Sequence, residues 1–94
     1  MDYRWSADKD VWLRAERGIG FEELVAAVEG GGLLGDTDHP DPERAHQRLL
    51  LVACRGQVWL VPYVQEAGGR FLKTAFPSRQ AAKKLGYGGS NEEA

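Results

Sequence analysis

The chain has 94 residues, of which 43% are hydrophobic and 28% charged, a balance that is typical of a folded domain and excludes general disorder. This length suits one domain, because either half alone is too short to bury a stable core. No run approaches the ~20 apolar residues of a membrane span, and Met1–Trp5 lacks the layout of a secretory signal. Cys54 is the only cysteine, so no internal disulfide forms. We expect Cys54 to be a small buried side chain and the protein to be cytoplasmic, with no membrane partner.

Charge is distributed unevenly along the chain, although the net charge is only −2. Residues 1–46 contain five Lys or Arg and eleven Asp or Glu. Residues 47–85 contain seven Lys or Arg and a single acid, Glu66. Such a split can place a positive face on an acidic protein, so the pattern favours a functional surface in the C-terminal half.

Capping residues and apolar spacing predict two N-terminal helices. Ser6 is a typical N-cap and Gly18 a typical C-terminal stop, which predicts a helix over 7–17. Apolar residues at i, i+3, i+4 and i+7 from Phe21 predict a second helix, which Gly30-Gly31-Gly32 ends. This glycine run follows a helix and does not precede one, so it is not a phosphate-binding loop.

The remaining chain reads as a strand meander followed by a short helix. The predicted strands are 47–54, 57–65 and 70–76, with a short strand beginning at Leu33 and a strand or packed arm at 3–5. Pro62 lies inside an otherwise central strand, so we expect a bulge there. Ser78 is placed to cap a last helix that runs to Leu85.

These elements predict the α+β class: two N-terminal helices, an antiparallel sheet of three to four strands, and a short C-terminal helix. We assign residues 1–86 to one domain and residues 87–94 to a flexible tail.

The acidic segment 36–41 and the two histidines offer weaker candidate sites. Its carboxylates could bind a hard cation, but the segment lacks the glycine and distal glutamate of a calcium loop. A solvated turn is the better interpretation, and no metal site or cofactor is predicted. His39 and His46 have no recognisable nucleophile or orienting partner in the sequence, so neither is assigned a catalytic role.

A stronger candidate site consists of cations and aromatic residues that are separated in sequence but that the predicted sheet would bring together. If the three predicted strands lie side by side, cations from two of them and from the start of the last helix converge on one end of the sheet, with aromatic rings nearby. The residues concerned are Arg48, Tyr63, Lys73, Phe76, Ser78 and Arg79. Cations that hold phosphate and rings on which bases stack are typical of a single-stranded RNA site. The alternative is that these charges only solvate a strand and a surface helix.

Several short motifs resemble the BrnT-type toxins of bacterial toxin–antitoxin systems. They are Trp5, Arg17-Gly18 followed by Phe21-Glu22-Glu23, the hairpin strand Arg48–Val52 and the closing Pro77-Ser78-Arg79. The likeness covers residues 3–85. The chain departs from the family in two places: Glu16-Arg17 stands where Lys-His is usual, and Ala75-Phe76 where paired arginines are usual.

This resemblance implies a RelE-like fold and a ribonuclease toxin that an antitoxin, often a ribbon-helix-helix protein, holds silent. The RNA's own 2′-hydroxyl would attack the neighbouring phosphate while Arg and Lys stabilise the developing charge. The catalytic residues would be Arg48, Lys73 and Arg79, and the substrate-binding residues Arg17, Tyr63, Phe76 and Ser78. The departures leave open an alternative, a non-catalytic module of the same fold that binds RNA or a partner protein.

Overall fold

The computed structural model describes residues 2–87, which form an α+β domain of three α-helices and six strands. The helices are α1 (Ala7–Arg17), α2 (Phe21–Ala27) and α3 (Arg79–Leu85). The strands are β1 (Tyr3–Trp5), β2 (Leu33–Asp38), β3 (Arg48–Cys54), β4 (Gln57–Glu66), β5 (Gly69–Leu72) and β6 (Phe76–Pro77). A π-helical turn, Val28–Gly32, and a 3-10 turn, Pro42–Arg44, connect them. Within residues 2–87, no helix is both long and apolar enough to cross a membrane.

The sheet has the strand order β1-β5-β4-β3-β2, and β6 pairs with β4 beyond the end of β5. Strands β2 to β5 pair antiparallel, but β1 joins β5 in parallel, with Tyr3 opposite Arg70 and Trp5 opposite Leu72. The prediction of three to four antiparallel strands is therefore wrong in number and in type. A three-residue strand whose partner is so distant in sequence leaves no local pattern that fixes its direction.

The two N-terminal helices are fixed to each other by one carboxylate. Ser6 caps α1, and Gly18 ends it with a φ of 72°, as the sequence predicted. Helix α2 begins after Gly20, which has no side chain to cap it, and Asp10 of α1 accepts from the Phe21 N–H at 2.8 Å instead. The helix-to-helix link is therefore held by a hydrogen bond as well as by packing.

One face of the sheet and the two N-terminal helices enclose the core. Leu13, Phe21 and Leu24 of the helices are almost completely buried. They meet a layer of equally buried sheet residues, Leu50, Val52, Trp59, Val61 and Leu72. Trp5 stacks on Phe21 with ring centroids 5.7 Å apart, which ties β1 to the helical layer. Helix α3 packs on the opposite face, against β4.

Pro62 lies inside β4 without interrupting it. The pairing with β3 continues in register through the proline, with Leu49 opposite it. The Pro62 carbonyl accepts from the Lys73 N–H at 2.8 Å, so the missing N–H faces the segment between β5 and β6. The irregularity expected at Pro62 therefore lies in the neighbouring strand, where residues 73–75 interrupt the ladder.

Helix α3 is closed at both ends by local hydrogen bonds. Ser78 accepts from the Ala81 N–H at 3.1 Å, as its predicted N-cap role requires. Gly86 has a φ of 69°, and the Tyr87 N–H donates to the Ala82 carbonyl at 2.9 Å, which completes a left-handed C-terminal cap. Tyr87 thus belongs to the helix end, and residues 88–94 of the predicted tail lie outside the described residues.

The parallel β1–β5 pairing depends on a glycine. A Cβ added to Gly69 would lie 2.4 Å from the Asp2 carbonyl oxygen, a backbone atom. We expect Gly69→Ala to lower the free energy of unfolding by about 2–3 kcal/mol, measured by urea denaturation, because the strand must shift to relieve the clash. Gly30→Ala is the matched control, since its Cβ would enter open space. Equal midpoints for the two variants would contradict this account of the strand contact.

Candidate functional site

Folding neutralises part of the basic C-terminal half. Of its seven cations, Arg48, Arg55 and Arg70 form salt bridges with carboxylates from the acidic N-terminal half. The cations of that half with no salt bridge within residues 2–87 are Lys73, Arg79, Lys83 and Lys84. The unpaired positive charge of the C-terminal half is therefore smaller than the sequence indicates. It lies on residues other than the three arginines that form salt bridges.

Asp36 of β2 is the centre of a charged cluster on the helical side of the sheet. Its carboxylate accepts from Arg48 Nε at 3.1 Å, from the Tyr63 hydroxyl at 2.9 Å and from Arg70 Nη2 at 3.1 Å. The Arg70 guanidinium also lies over the rings of Tyr63 and Tyr3, at 4.9 and 5.9 Å from their centroids. We call Tyr3, Asp36, Arg48, Tyr63 and Arg70 the Asp36 cluster.

Two predicted site residues, Arg48 and Tyr63, belong to this cluster. Arg48 is held by Asp36 and by Asp38, whose Oδ1 lies 2.6 Å from its Nη1. Tyr63 is 1% exposed, so its ring has no free face for a base. Burial, followed by the hydrogen bond to Asp36, raises the pKa of the Tyr63 hydroxyl. The structure thus shows both side chains bound to groups of the protein itself.

The prediction that the segment 36–41 is a solvated turn is wrong for its first part. Asp36 and Asp38 lie in β2, opposite Leu50 and Arg48 of β3. Their alternation on one face of a strand brings both carboxylates to Arg48. Within residues 2–87, no group of three or more His, Cys, Asp or Glu is arranged to hold a metal ion.

A second set of cations surrounds an open cleft of about 440 Å³. Its side chains come from the first turn of α1, the segment between β2 and β3, and the segment between β5 and β6. We call it the basic cleft, and its principal residues are Lys9, His39, Arg44, Gln47, Lys73 and Phe76.

The two lysines of the basic cleft carry unneutralised charge. Lys73 leaves the sheet after β5, and its Nζ lies 5.3 Å from the centroid of the Phe71 ring. Lys9 Nζ lies 4.2 Å from the centroid of the Trp12 ring, one turn along α1. Neither lysine forms a salt bridge in the part of the chain that the structure describes. Aromatic faces hold an ammonium group without neutralising it, so both charges remain available to an anion.

His39 is oriented by its own backbone segment. Its Nδ1 accepts from the Asp41 N–H at 3.1 Å, which places the proton of the neutral ring on Nε2. In this state the ring offers the cleft a hydrogen-bond donor and not a base. Arg44 adds a further cation, 3.8 Å from a carboxylate oxygen of Asp41 in an exposed pair that contributes little stability.

Ser78 and Arg79 line a different cleft, of about 470 Å³, beside the turn between β3 and β4. The Ser78 hydroxyl is occupied by the Ala81 N–H, and its own N–H donates to the Val58 carbonyl at 2.8 Å. Arg79 is exposed at the first position of α3. Arg79 is the cation that lines this open space, which Gly56 also borders.

The structure therefore brings the predicted site residues together only in pairs. Lys73 and Phe76 share the basic cleft, Ser78 and Arg79 share the second cleft, and Arg48 and Tyr63 share the Asp36 cluster. Arg17 lies apart on α1, with its guanidinium 5.6 Å from the Trp12 ring centroid.

Sequence reasoning did not assign Lys9, Arg44, Gln47 or His39 to the site. Lys9 comes from α1 and the other three from the connection between β2 and β3, and no fixed spacing relates either segment to Lys73. The unbalanced charge on Lys73 was visible in the sequence, whereas the approach of Lys9 depends on how α1 lies on the sheet.

Cys54 lies beside Glu23, in surroundings that disfavour its thiolate form. Burial, followed by the nearby charge of Glu23, raises the pKa of its thiol, and its Sγ lies 3.8 Å from Glu23 Oε2. Since the thiolate is the reactive form, a raised pKa lowers the reactivity of this thiol at neutral pH. The side chain is half-buried, in partial agreement with the expectation of a buried residue.

The Asp36 cluster predicts a contrast between two neighbouring carboxylates. Asp36→Asn removes the negative charge that Arg48 and Arg70 share, and we expect it to lower the free energy of unfolding by about 2–3 kcal/mol. Asp38→Asn, whose side chain is 90% exposed, should cost less than about 1 kcal/mol. Urea denaturation of both variants measures the difference. Equal losses would show that Asp36 is not the centre of the cluster.

The raised pKa of Tyr63 predicts a loss of stability at alkaline pH. The unfolded tyrosine releases its proton near pH ~10, whereas the folded one retains it to higher pH. The contribution of the protonated Tyr63 hydroxyl to the free energy of unfolding is therefore complete below pH ~10. It is lost as the pH rises through the pKa of the folded state. We expect the free energy of unfolding to fall more steeply between about pH 9 and 11 in the wild type than in Tyr63→Phe. Parallel pH profiles for the two proteins would refute this role of burial.

The chain was also compared with known proteins. No family model, curated protein or solved structure matches it.

Proposed function

We propose that this chain is the toxin of a bacterial type II toxin–antitoxin system and that it cleaves RNA in the basic cleft. One observation carries the proposal: Lys9 and Lys73, both without a salt bridge among the described residues, line one cleft with Arg44 and the ring of Phe76. Free cations beside an aromatic face are the groups that hold the backbone and a base of single-stranded RNA.

The order of the elements supports the resemblance to BrnT-type toxins. After the short strand β1, two helices precede a strand meander and a short helix closes the domain, an order that agrees with the likeness carried by the short motifs. The proposal extends to a RelE-like fold on this ground. One departure from the family motif is compatible with the proposal. Phe76 stands at one of the positions where paired arginines are usual, and it lines the basic cleft.

In the proposed reaction the RNA supplies the nucleophile. The 2′-hydroxyl oxygen forms a bond to the adjacent phosphorus, and the bond from phosphorus to the 5′ oxygen breaks. The proton lost from the 2′-hydroxyl is transferred through water to the leaving 5′ oxygen, which gives a 2′,3′-cyclic phosphate and a 5′-hydroxyl end. Lys73 stabilises the negative charge that develops on the phosphate, and His39 donates its Nε2 proton in a hydrogen bond to a phosphate oxygen.

The other predicted residues take different roles in this proposal. Arg79, in the second cleft, binds the RNA backbone away from the reacting phosphate. Arg48 supports the sheet through Asp36 and does not contact RNA. Lys73 is thus the only one of the three predicted catalytic cations that we retain at the reacting phosphate.

An antitoxin is the proposed protein partner. An open groove between α3 and the sheet is lined by Leu49, Leu51 and Leu85, and Lys84 lies on its border. Leu85 is 46% exposed. Asp38 also lines the groove, so an amphipathic antitoxin helix that places apolar residues against the leucines and an acid beside Lys84 matches it.

The proposal predicts that Lys73→Ala abolishes toxicity. We expect the wild type to arrest growth on expression and Lys73→Ala to relieve the arrest, with RNA cleavage by the purified protein reduced about 100-fold or more. Lys83→Ala, which removes an exposed cation of α3 outside the basic cleft, is the matched control and should remain toxic. Cleavage products are examined for the 2′,3′-cyclic phosphate, and thermal unfolding checks that each variant is folded.

Equal toxicity of the wild type and Lys73→Ala would refute this site. Salt-sensitive RNA binding without cleavage by the wild type would instead support the alternative, a non-catalytic module that binds RNA.

A further inference from the structure

Trp12 of α1 is a large aromatic side chain that lies outside the core. It is 40% exposed, and among the described residues it belongs neither to the core nor to the partly buried side chains that pack against the core. The next residue, Leu13, is completely buried, so α1 turns its apolar face to the sheet and carries Trp12 at the surface. Within residues 2–87 the indole N–H of Trp12 forms no hydrogen bond.

Two cations lie over the Trp12 ring. Lys9 Nζ is 4.2 Å and the Arg17 guanidinium carbon 5.6 Å from the ring centroid. Asp8 and Glu16 lie one turn before and one turn after Trp12, but neither forms a salt bridge with these cations in the part of the chain that the structure describes. The ring therefore lies between two unneutralised positive charges, which are about 12 Å apart along the helix axis.

Lys9 connects Trp12 to the basic cleft. The same lysine lines the cleft and places its ammonium group over the indole ring, so the ring adjoins the cleft across one side chain. Cations and aromatic groups thus alternate along the surface, from Arg17 through Trp12 and Lys9 to the cleft that contains Phe76. This alternation is the arrangement that tracks the backbone and the bases of a single strand.

The exposed part of the Trp12 side chain is large enough to contact a base. An aromatic side chain of this size has roughly 250 Å² of surface, so 40% exposure leaves about 100 Å² with Lys9 and Arg17 in place. Every base has a π-face, so stacking on such a ring does not depend on the sequence of the strand.

We propose that Trp12 is a base-stacking site beside the basic cleft and that it binds the nucleotide next to the one in the cleft. This inference rests on the proposed function, which places single-stranded RNA in that cleft. Lys9 then contacts the phosphate between the two nucleotides, and Arg17 contacts the phosphate beyond Trp12. The contact lengthens the strand that the protein holds without selecting a base, and it gives Arg17 a place on the RNA-binding surface.

The experiment compares two labelled strands that lack the attacking hydroxyl, a hexamer of 2′-fluorouridine and a hexamer of abasic tetrahydrofuran units with the same phosphates. Trp12→Leu removes the ring and keeps an apolar, helix-forming side chain. By fluorescence anisotropy we expect it to bind the uridine hexamer about tenfold more weakly than the wild type, and the abasic hexamer with unchanged affinity, because only stacking is lost. Trp12→Phe keeps a smaller ring and should recover most of the affinity.

Two further measurements separate stacking from charge. The slope of log K against log salt should be the same for Trp12→Leu and the wild type, whereas Lys73→Ala loses a phosphate contact and should reduce the slope by about 0.7. Unlabelled uridine hexamer should quench the tryptophan fluorescence of the wild type and not that of Trp12→Phe. This signal reports Trp12, since Trp59 is 3% exposed and Trp5 stacks on Phe21.

Val11→Ala is the matched control, because Val11 is 59% exposed on the same helix and should be replaceable without loss of binding to either strand. Thermal unfolding confirms that each variant is folded. An equal loss of affinity of Trp12→Leu for both hexamers would show that Trp12 only positions Lys9, and this result or unchanged binding overturns the inference. In either case salt-sensitive binding that Lys73→Ala weakens would leave the proposed function standing, whereas no binding of either strand by the wild type would count against both.

Discussion

The carboxylate of Asp36 is the interaction on which the arrangement of the sheet depends. It lies on β2 and receives hydrogen bonds from Arg48 on β3, Tyr63 on β4 and Arg70 on β5. One edge-strand acid thus connects three neighbouring strands across the sheet. Without it, two guanidinium groups would lie on a half-buried face with no shared counter-charge, which is a costly state in a domain of this size.

The same contact explains how charge that is separated along the sequence becomes balanced in space. Acids are concentrated before residue 47 and cations after it, and the fold brings β2 against β3 and α2 against the β3–β4 turn. Arg48, Arg55 and Arg70 are neutralised in this way, whereas Lys9, Lys73 and Arg79 have no salt bridge within residues 2–87. Lys9 and Lys73 share the basic cleft, so this cleft is the surface best suited to an anion.

The fold could be predicted where local chemistry decides the structure. The caps at Ser6, Gly18 and Ser78 fixed the ends of α1 and the start of α3, and continuous apolar runs located β3 and β4. What escaped prediction depends on distant contacts. Strand β1 takes its direction from β5, and β2 carries two aspartates whose place in a strand is explained by the salt bridges that both form with Arg48.

The candidate site shows the same division. Lys73 and Phe76 were predicted from charge and aromatic content within one segment, and both line the basic cleft. Their companions Lys9 and Gln47 were not, because a helix-start lysine and a strand-start glutamine have no pattern in common. The expected convergence of Arg48 with Arg79 assumed that neighbouring strands bring all their cations to one end. This expectation took no account of the alternation of side chains between the two faces of a sheet. It also took no account of the carboxylates that form salt bridges with Arg48.

The parallel pairing of β1 with β5 also determines how much of the chain must be synthesised before the sheet can form. Contacts between residues so far apart in sequence close a loop that includes nearly the whole domain, and such contacts form late in folding. During synthesis, α1 emerges well before the strand that anchors β1 exists, at roughly 5–20 residues per second. The basic cleft joins Lys9 of α1 to Lys73 beyond β5, so it does not exist in a partly synthesised chain. The cationic surface of the cleft therefore requires both α1 and the segment beyond β5, since neither lysine alone forms it.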